Sequence, residues 1–292
     1  MLQLEPIIAF VRVAELKSYT RAAEALNITQ SAVSAAIKTL EERHGVALFH
    51  RVGRRIELTE AGRLFLSEAR AVLGRAASAE RTLAEYGGLE RGSLSLVASQ
   101  TIAGYWLPPL LARFHKRYPG IIVQMAIGNS DQAAEQVHEG SAELGFVEGL
   151  IDDPALARWT VGHDELALVG AAPTDEPINA KWLSAATWVL REEGSGTRST
   201  FEASLKARGM TIADLNVALT LPSNEAVRSA TAAGAGYTVI STLVAGPLLA
   251  SGKLHRLPFK LDPRLFYGLR HKERYRSKAG DALLELIDID KI

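Results

Sequence analysis

The sequence predicts an α/β protein of three parts: an N-terminal winged helix-turn-helix, a long linker helix, and a C-terminal domain of alternating strands and helices. Three observations predict this fold class. Short helical segments, a tight turn and a basic hairpin lie within the first 58 residues. Apolar residues then repeat at heptad spacing to about residue 86, and from residue 93 short apolar runs alternate with amphipathic segments. Strands that alternate with helices favour a parallel sheet with right-handed crossovers.

The N-terminal segment carries the start and stop signals of three helices. Apolar residues at helical spacing predict a first helix over 4–16. Ser18 or Thr20 caps a second helix over 21–26, and Thr29 caps a third helix over 30–43. Two helices joined by a short turn form a helix-turn-helix, whose second helix enters the major groove of DNA.

Polar side chains at the start of the third helix suit contact with DNA. Gln pairs with adenine, Ser serves several bases, and Lys reaches guanine or a phosphate. The candidates are Thr29, Gln30, Ser31, Ser34 and Lys38. In the hairpin, or wing, Arg51, Arg54 and Arg55 suit phosphate contacts, although a charge run of this kind also fits a solvated surface. Double-stranded DNA is therefore the first predicted partner.

Composition excludes several classes of protein. The net charge is zero, so the positive charge that suits DNA is concentrated in the wing. The lack of cysteine excludes disulfides, thiolate metal sites and Cys nucleophiles. The N-terminus lacks the features of a signal peptide. Residues 229–252 carry no formal charge, but Gly and Pro interrupt them, which favours a buried strand and a short helix over a membrane span. We expect a cytoplasmic protein with no membrane partner.

The long helix predicted over 59–86 has a heptad seam. Its apolar residues are spaced 4-3-4-3-4-3: Phe65, Ala69, Val72, Ala76, Ala79, Leu83 and Tyr86. Such a seam is typical of a coiled coil, although a single amphipathic helix could also pack it on its own domain. Because a helix-turn-helix that reads an inverted repeat needs a two-fold partner, the sequence favours a homodimer through this helix.

The C-terminal pattern predicts alternating elements. The strands are expected over 93–98, 121–127, 142–147, 166–171, 187–190, 217–221, 237–241 and 265–271. The helices are expected over 105–117, 131–139, 199–208, 225–233 and 280–287, with a further short helix after the strand at 237–241. This rhythm is less specific than the N-terminal motif, since many α/β proteins share it.

The first 62 residues carry a set of residues at fixed spacings: Phe10, Ser18, Ala22-Ala23, Leu26, Gln30-Ser31-Ala32-Val33-Ser34, Ile37, Leu40-Glu41, Gly45, Leu48-Phe49, Arg51, Leu58-Thr59 and Ala61-Gly62. With this set, the segment resembles the LysR-type transcriptional regulators. The chain departs from the family pattern at Tyr19, Thr29 and His44, which removes no DNA-facing group.

The resemblance implies an organisation and an assembly. Residues 1–58 would form the winged helix-turn-helix, 59–88 the dimerisation helix, and 89–292 a periplasmic-binding-protein-like effector domain of two Rossmann-like subdomains. Subdomain I would comprise 93–162 and 268–292, and subdomain II 163–267, with chain crossings near 162–164 and 264–267. Dimers would bind an inverted-repeat promoter site and pair into a homotetramer through their effector domains.

Ligands in such folds bind at the carboxyl ends of strands, against helix N-termini. Polar residues occupy these places in three stretches and after one further strand. The candidates are Ser99, Gln100, Thr101, Glu148, Gly194, Ser195, Gly196, Thr197, Arg198, Ser223 and Asn224. The loop Gly194–Thr197 suits an anion-binding nest and Arg198 adds charge, although the hydroxyls could equally serve as helix caps.

An enzyme and an architectural DNA-binding protein are the two alternative classes of function. Residues 194–198 lack the G-x-S-x-G spacing of a nucleophile elbow and the Lys of a P-loop, and the seven His show no metal-ligand spacing. No catalytic residue, metal or cofactor is therefore predicted. An architectural DNA-binding protein would not need about 200 residues of α/β fold.

The sequence thus favours a DNA-binding transcriptional regulator controlled by a small-molecule effector. The loop 191–198 resembles that of the regulators of carbon fixation and sulfur assimilation, which implies a small anion or phosphorylated metabolite bound between the subdomains. The alternative is an enzyme or binding protein that uses the loop 194–198, with the helix-turn-helix as an accessory module.

Overall fold

Two units make up the chain: Met1–Leu83 with Glu139–Ser141, and Ala84–His138 with Ala142–Ile292. The structure is a computed structural model that describes residues 3–53, 55–85, 92–149, 151–174 and 176–289. Each unit is described by itself.

The first unit follows the predicted order of elements. It consists of α1 (Leu4–Leu16), α2 (Tyr19–Leu26), α3 (Gln30–His44), β1 (Phe49–Val52), β2 (Arg55–Leu58) and α4 (Glu60–Glu85). Helix α2 begins two residues before the predicted start because Ser18 is its N-cap and accepts a hydrogen bond from the Arg21 backbone N–H at 3.3 Å. Thr29 caps α3 as predicted, at 3.2 Å from the Ala32 nitrogen. Gly45 ends α3 with a φ of +64°.

The core of the first unit is centred on Phe10. Its ring lies 5.3 Å from that of Phe49 and 5.0 Å from that of Phe65, which begins the second turn of α4. The same end of α4 requires glycine at position 62, because a Cβ there would lie 2.1 Å from the Leu48 carbonyl oxygen. The start of α4 is therefore part of the core of this unit.

The predicted seam of α4 is divided as a result. Phe65 and Ala69 pack into the core of their own unit, whereas Val72 and Leu83 are 42% and 77% exposed. The prediction of one continuous intermolecular seam from Phe65 is thus wrong at its first two positions. Burial against Phe10 satisfies those residues within the chain. Tyr86, the last predicted seam residue, lies outside the described residues.

The second unit contains the remaining elements. In chain order they are β3 (Gly92–Ser99), α5 (Leu107–Arg117), β4 (Ile121–Gly128), α6 (Ser130–Glu139), β5 (Leu144–Glu148), β6 (Leu156–Asp164), β7 (Leu166–Gly170), α7 (Ala180–Ala185), β8 (Thr187–Arg191), α8 (Gly196–Lys206), β9 (Asn216–Leu221), α9 (Asn224–Ala232), β10 (Thr238–Ser241), α10 (Thr242–Ala250), β11 (His255–Arg256), β12 (Arg264–His271) and α11 (Lys278–Ile289). A π-helical turn, Ile102–Trp106, precedes α5.

The described strands of subdomain I form a sheet in the order β4-β3-β5-β12-β6. Strands β3, β4 and β5 are parallel as predicted, but β12 runs antiparallel to both β5 and β6. The expectation of a wholly parallel sheet is therefore wrong, and β6 was not predicted at all. Arg264 pairs with Asp164 in the β6–β12 ladder, so residues 163–164 and 264–267, which the resemblance assigns to subdomain II, belong to the sheet of subdomain I.

Subdomain II is also mixed. Strand β7 pairs antiparallel with β10 and β11, while β8 and β9 are parallel. The predicted strand and short helix within 229–252 are confirmed as β10 and α10. Over the described ranges, none of the helices combines the length and apolar character that a membrane crossing requires.

Candidate functional site

The predicted DNA-reading face of α3 is exposed. Val33, Ile37 and Leu40 hold the opposite face in the core, while Gln30 and Ser34 are exposed. The other predicted contacts on this face are Thr29, Ser31 and Lys38, which are exposed too. The hydroxyls of Thr29 and Ser31 lie 2.9 Å apart, and Lys38 Nζ lies 3.4 Å from Glu42 Oε1.

A contact between α3 and the hairpin holds the wing in place. Glu41 Oε1 accepts hydrogen bonds from the backbone N–H groups of Leu48 at 2.7 Å and Phe49 at 3.2 Å. Arg51 and Arg55 on the wing are exposed, and Arg54 lies outside the described residues. The role of Glu41 was not predicted, because the N–H groups that donate to it lie outside its own helix.

In the second unit, the predicted effector residues of the two subdomains bond to one another. Asn224 at the start of α9 donates from its amide to Thr101 Oγ1 at 3.1 Å, and its backbone N–H donates to Gln100 Oε1 at 2.9 Å. Gln100 Nε2 in turn donates to the Pro222 carbonyl at 2.8 Å. Ser223 caps α9 by accepting from the Ala226 N–H at 3.0 Å, so its hydroxyl serves as a helix cap.

The glycine-rich loop packs against the N-terminus of α6. The Gly194 carbonyl accepts from the Ser130 N–H at 3.1 Å, and Asn129 Nδ2 donates to the Glu193 carbonyl at 3.2 Å. Gly194 has a φ of +81°, and a Cβ there would lie 3.0 Å from Asn129 Nδ2 and Asp131 Oδ2. Asn129 and Ser130 were not predicted as site residues; their signal was a polar pair that follows Gly128, just after the apolar strand predicted over 121–127.

The charge of Arg198 is paired with the carboxylates of Glu193 and Glu202. Its guanidinium donates to Glu202 Oε1 at 2.8 Å and to the Arg191 carbonyl at 3.3 Å. The buried cation beside this loop is Arg191, which makes a two-pronged pair with Glu192 at 2.7 and 2.8 Å and also bonds Asn224. Burial raises the pKa of Glu192, but the hydrogen bonds and charge of Arg191 outweigh it, and the net pKa lies below its usual value.

A second buried cation, Arg264, meets two carboxylates. It bonds Asp164, donates to Thr197 Oγ1 at 2.8 Å, and lies 3.8 Å from Glu148 Oε1. Thr197 belongs to the first turn of α8, so this arginine joins the start of β12 to subdomain II. Arg191, Arg264 and Asp164 were all missed by sequence reasoning. For Arg191 the available signal was its place at the end of an apolar predicted strand. Asp164 and Arg264 gave no such signal, because β6 and β12 carry other charged residues.

The remaining predicted residues at this site are buried. Ser99, Ser195 and Gly196 are buried at the strand and helix ends, and Ser99 Oγ has no hydrogen-bond partner among the described residues. Gly196 permits the close approach of α8, because a Cβ there would lie 2.5 Å from the Glu148 carbonyl oxygen. Within the described part of the chain, His, Asp and Glu side chains form no cluster of three that could hold a metal ion.

Both parts of the chain match models of known families. Residues 4–63 match the bacterial regulatory helix-turn-helix protein, lysR family, and residues 87–288 match the LysR substrate binding domain. The chain belongs to the LysR family of transcriptional regulators. The predicted family, fold class and regulatory function are confirmed. The enzyme alternative has no support, because the matched family and the similar proteins described next are transcriptional regulators.

Similar proteins cover most or nearly all of this LysR-family chain. The uncharacterized HTH-type transcriptional regulator YeiE of Escherichia coli (strain K12) is 33% identical over 292 residues, covering 98% of this chain and 97% of YeiE. The RuBisCO operon transcriptional regulator of Allochromatium vinosum is 31% identical over 303 residues, covering 97% and 95%. The HTH-type transcriptional regulator CysL of Bacillus subtilis (strain 168) is 33% identical over 241 residues, covering 80% and 79%.

Solved LysR-family structures share this fold. Full-length CbnR complexed with its target DNA has a TM-score of 0.67 at 22% identity, with 99% of both chains covered. CbnR alone has a TM-score of 0.69 at 20% identity, again with 99% of both chains covered.

Proposed function

We propose that this regulator binds an inverted-repeat promoter site as a dimer and responds to a small oxyanion or phosphorylated metabolite between its effector subdomains. The observation that supports effector binding is the convergence of helix N-termini and buried polar side chains from both subdomains. Helices α6, α8 and α9 all begin there, and helix N-termini favour negative charge.

The proposal of DNA binding rests on the exposed polar start of α3 and the exposed arginines of the wing. Gln30 and Ser34 would contact base edges, while Arg51 and Arg55 would hold phosphates. The CbnR structure that shares this fold is complexed with its target DNA. Since the helix-turn-helix matches a bacterial family, its DNA would lie in the cytoplasm.

The proposal of a dimer and a tetramer rests on two exposed apolar surfaces. Val72 and Leu83 of α4 would form the dimer contact, on the part of the helix beyond its own core. The edge strands β4 and β9 expose Ile122, Ile127 and Leu219, which would pair effector domains and join two dimers into a tetramer.

The anion would act by changing the closure of the subdomains. Thr101 and Asn224 now bond each other across the two subdomains, and so do Thr197 and Arg264. A ligand can shift this arrangement only if its affinity differs between the open and closed forms. An oxyanion that accepts from Thr101 and Thr197 would stabilise the form in which both can reach it.

Calorimetry tests the effector site with sulfite, sulfate, inorganic phosphate, phosphorylated sugars and small carboxylates. Thr101→Ala and Thr197→Ala should each cost roughly 1.5–3 kcal/mol of affinity, the usual range for a hydrogen bond to a charged group. Both variants should keep basal DNA binding. Thr174→Ala, outside the site, is the matched control. If Thr197→Ala bound the effector as tightly as the wild type, the site would be wrongly placed and the loop 194–198 would be only a helix cap.

A further inference from the structure

Glu148 is a buried carboxylate at the place proposed for an anion. Its side chain is 3% exposed, and Oε2 lies 3.4 Å from Ser130 Oγ. Within the described ranges, Oε1 has no hydrogen-bond partner. A buried acceptor without a donor is costly, so this oxygen can accept a hydrogen bond that the chain does not supply.

Arg264 is the cation beside Glu148, and it contacts Asp164 more closely than Glu148. Arg264, 2% exposed, bonds Asp164 directly, whereas its Nη1 is 3.8 Å from Glu148 Oε1, beyond hydrogen-bond distance. The same Nη1 donates to Thr197 Oγ1 at 2.8 Å. One guanidinium therefore faces two carboxylates, and Glu148 is the one that it satisfies less.

Glu148 lies at the first turn of α8. A Cβ on Gly196 would lie 2.5 Å from the Glu148 carbonyl oxygen and 2.7 Å from Ser130 Oγ, so this turn rests on the end of β5. Thr197 Oγ1 in this turn and Glu148 Oε1 lie 2.8 Å and 3.8 Å from the same Arg264 Nη1, so an oxyanion bound beside Thr197 would lie close to the Glu148 carboxylate. Two acceptors that carry negative charge repel each other at such a distance unless a proton lies between them.

We infer that Glu148 makes the site selective for an oxyanion that carries its own hydrogen-bond donor, an O–H or N–H group directed at Oε1. An anion with acceptors only would leave Glu148 unsatisfied and add like-charge repulsion. This inference rests on the proposed oxyanion site and names the chemical class that the site accepts.

Inorganic phosphate and sulfate are the probes, because they match in shape and differ in the proton. Phosphate keeps a P–O–H group through the neutral range, and sulfate has none. Calorimetry at one pH near neutral and one ionic strength should show phosphate binding the wild type about tenfold more tightly or better. Glu148→Gln should bring the two affinities together, because its amide can donate to sulfate. Glu193→Gln, at a side chain 89% exposed on the same loop, should keep the wild-type ratio.

The outcomes separate this inference from the proposed function. Thr197→Ala should weaken both anions and keep their ratio. If the wild type bound sulfate as well as phosphate, the selectivity would be refuted while the oxyanion site stood. If it bound neither, the inference would fail, and the wider effector panel would decide the site separately. Thermal unfolding checks that Glu148→Gln is folded; if it is not, the wild-type ratio alone decides.

Discussion

Side chains at the start of α3 either cap the helix or are exposed without a part in the cap. The Thr29 hydroxyl accepts from the Ala32 N–H and contacts the Ser31 hydroxyl, so both groups are engaged in the cap. Gln30 lies between them on the exposed surface. At the residue scale, Gln30 is therefore the strongest candidate for reading a base.

Gln30→Ala should cost about 1–3 kcal/mol on the cognate site and relax its base preference, because one bidentate base contact is lost. Arg55→Ala should weaken cognate and random DNA alike and lower the salt slope by about one, because a phosphate contact is lost. Salt-dependent fluorescence anisotropy on both DNAs measures this. Equal losses on the two DNAs for Gln30→Ala would exclude its base-reading role.

Two helical glycines of the second unit should respond oppositely to alanine. Gly196→Ala should destabilise the unit by about 1–3 kcal/mol, because its Cβ would meet the backbone of Glu148. Gly104→Ala should stabilise it by about 0.5–1 kcal/mol, since a Cβ there meets nothing within 4 Å. Denaturant unfolding measures both. Little change in Gly196→Ala would show that α8 rests less tightly on β5.

At the scale of elements, α4 serves two purposes along its length. Its start completes the core of the first unit through Phe65 and Ala69, and its later turns expose Val72 and Leu83. The heptad spacing is the same in both parts, because a core stripe and a dimer seam demand the same helical repeat.

Substitutions in the two parts of α4 should therefore have different effects. Val72→Glu with Leu83→Glu should abolish the dimer and weaken binding to a palindromic site, without unfolding the first unit. Phe65→Ala should instead destabilise that unit, by up to about 3 kcal/mol, because it empties the contact with Phe10. Ultracentrifugation and thermal unfolding separate the two. A double variant that stayed dimeric would place the contact elsewhere.

At the scale of the whole molecule, strands β4 and β9 of the second unit each have one edge without a partner strand in the described chain. Strands β4 and β9 end their sheets, and Ile122 on β4 is 65% exposed. Exposed apolar edges tend to be covered by another chain. Pairing of effector domains would cover both edges and leave α4 free for the dimer.

Ile122→Glu with Leu219→Glu should convert the proposed tetramer into dimers, because charged side chains would be buried between the edge strands. The α4 contact, and binding to one inverted repeat, should survive. Leu243→Glu, at an exposed site on α10, is the control. Sedimentation velocity measures the assembly. A double variant that still sedimented as a tetramer would exclude these edges as the interface.

Sequence alone determined the features that depend on near neighbours in the chain. The caps Ser18 and Thr29, the helix-turn-helix and most of the alternating elements followed from residues a few positions apart, because capping and helical periodicity are local. Strand β6 could not be predicted from the sequence, because it is an edge strand with exposed polar positions and its apolar alternation is weak.

Tertiary structure decided what depends on distant residues. Phe65 could join the core or a partner helix by its spacing, and contact with Phe10 decided between them. Arg264 and Asp164 are 100 positions apart, and only the antiparallel β6–β12 ladder brings them to Glu148. Arg198 stood next to the candidate loop, but the turn of α8 directed it to Glu202. Contacts across such separations leave no periodic pattern, because folding, and not chain proximity, makes them neighbours.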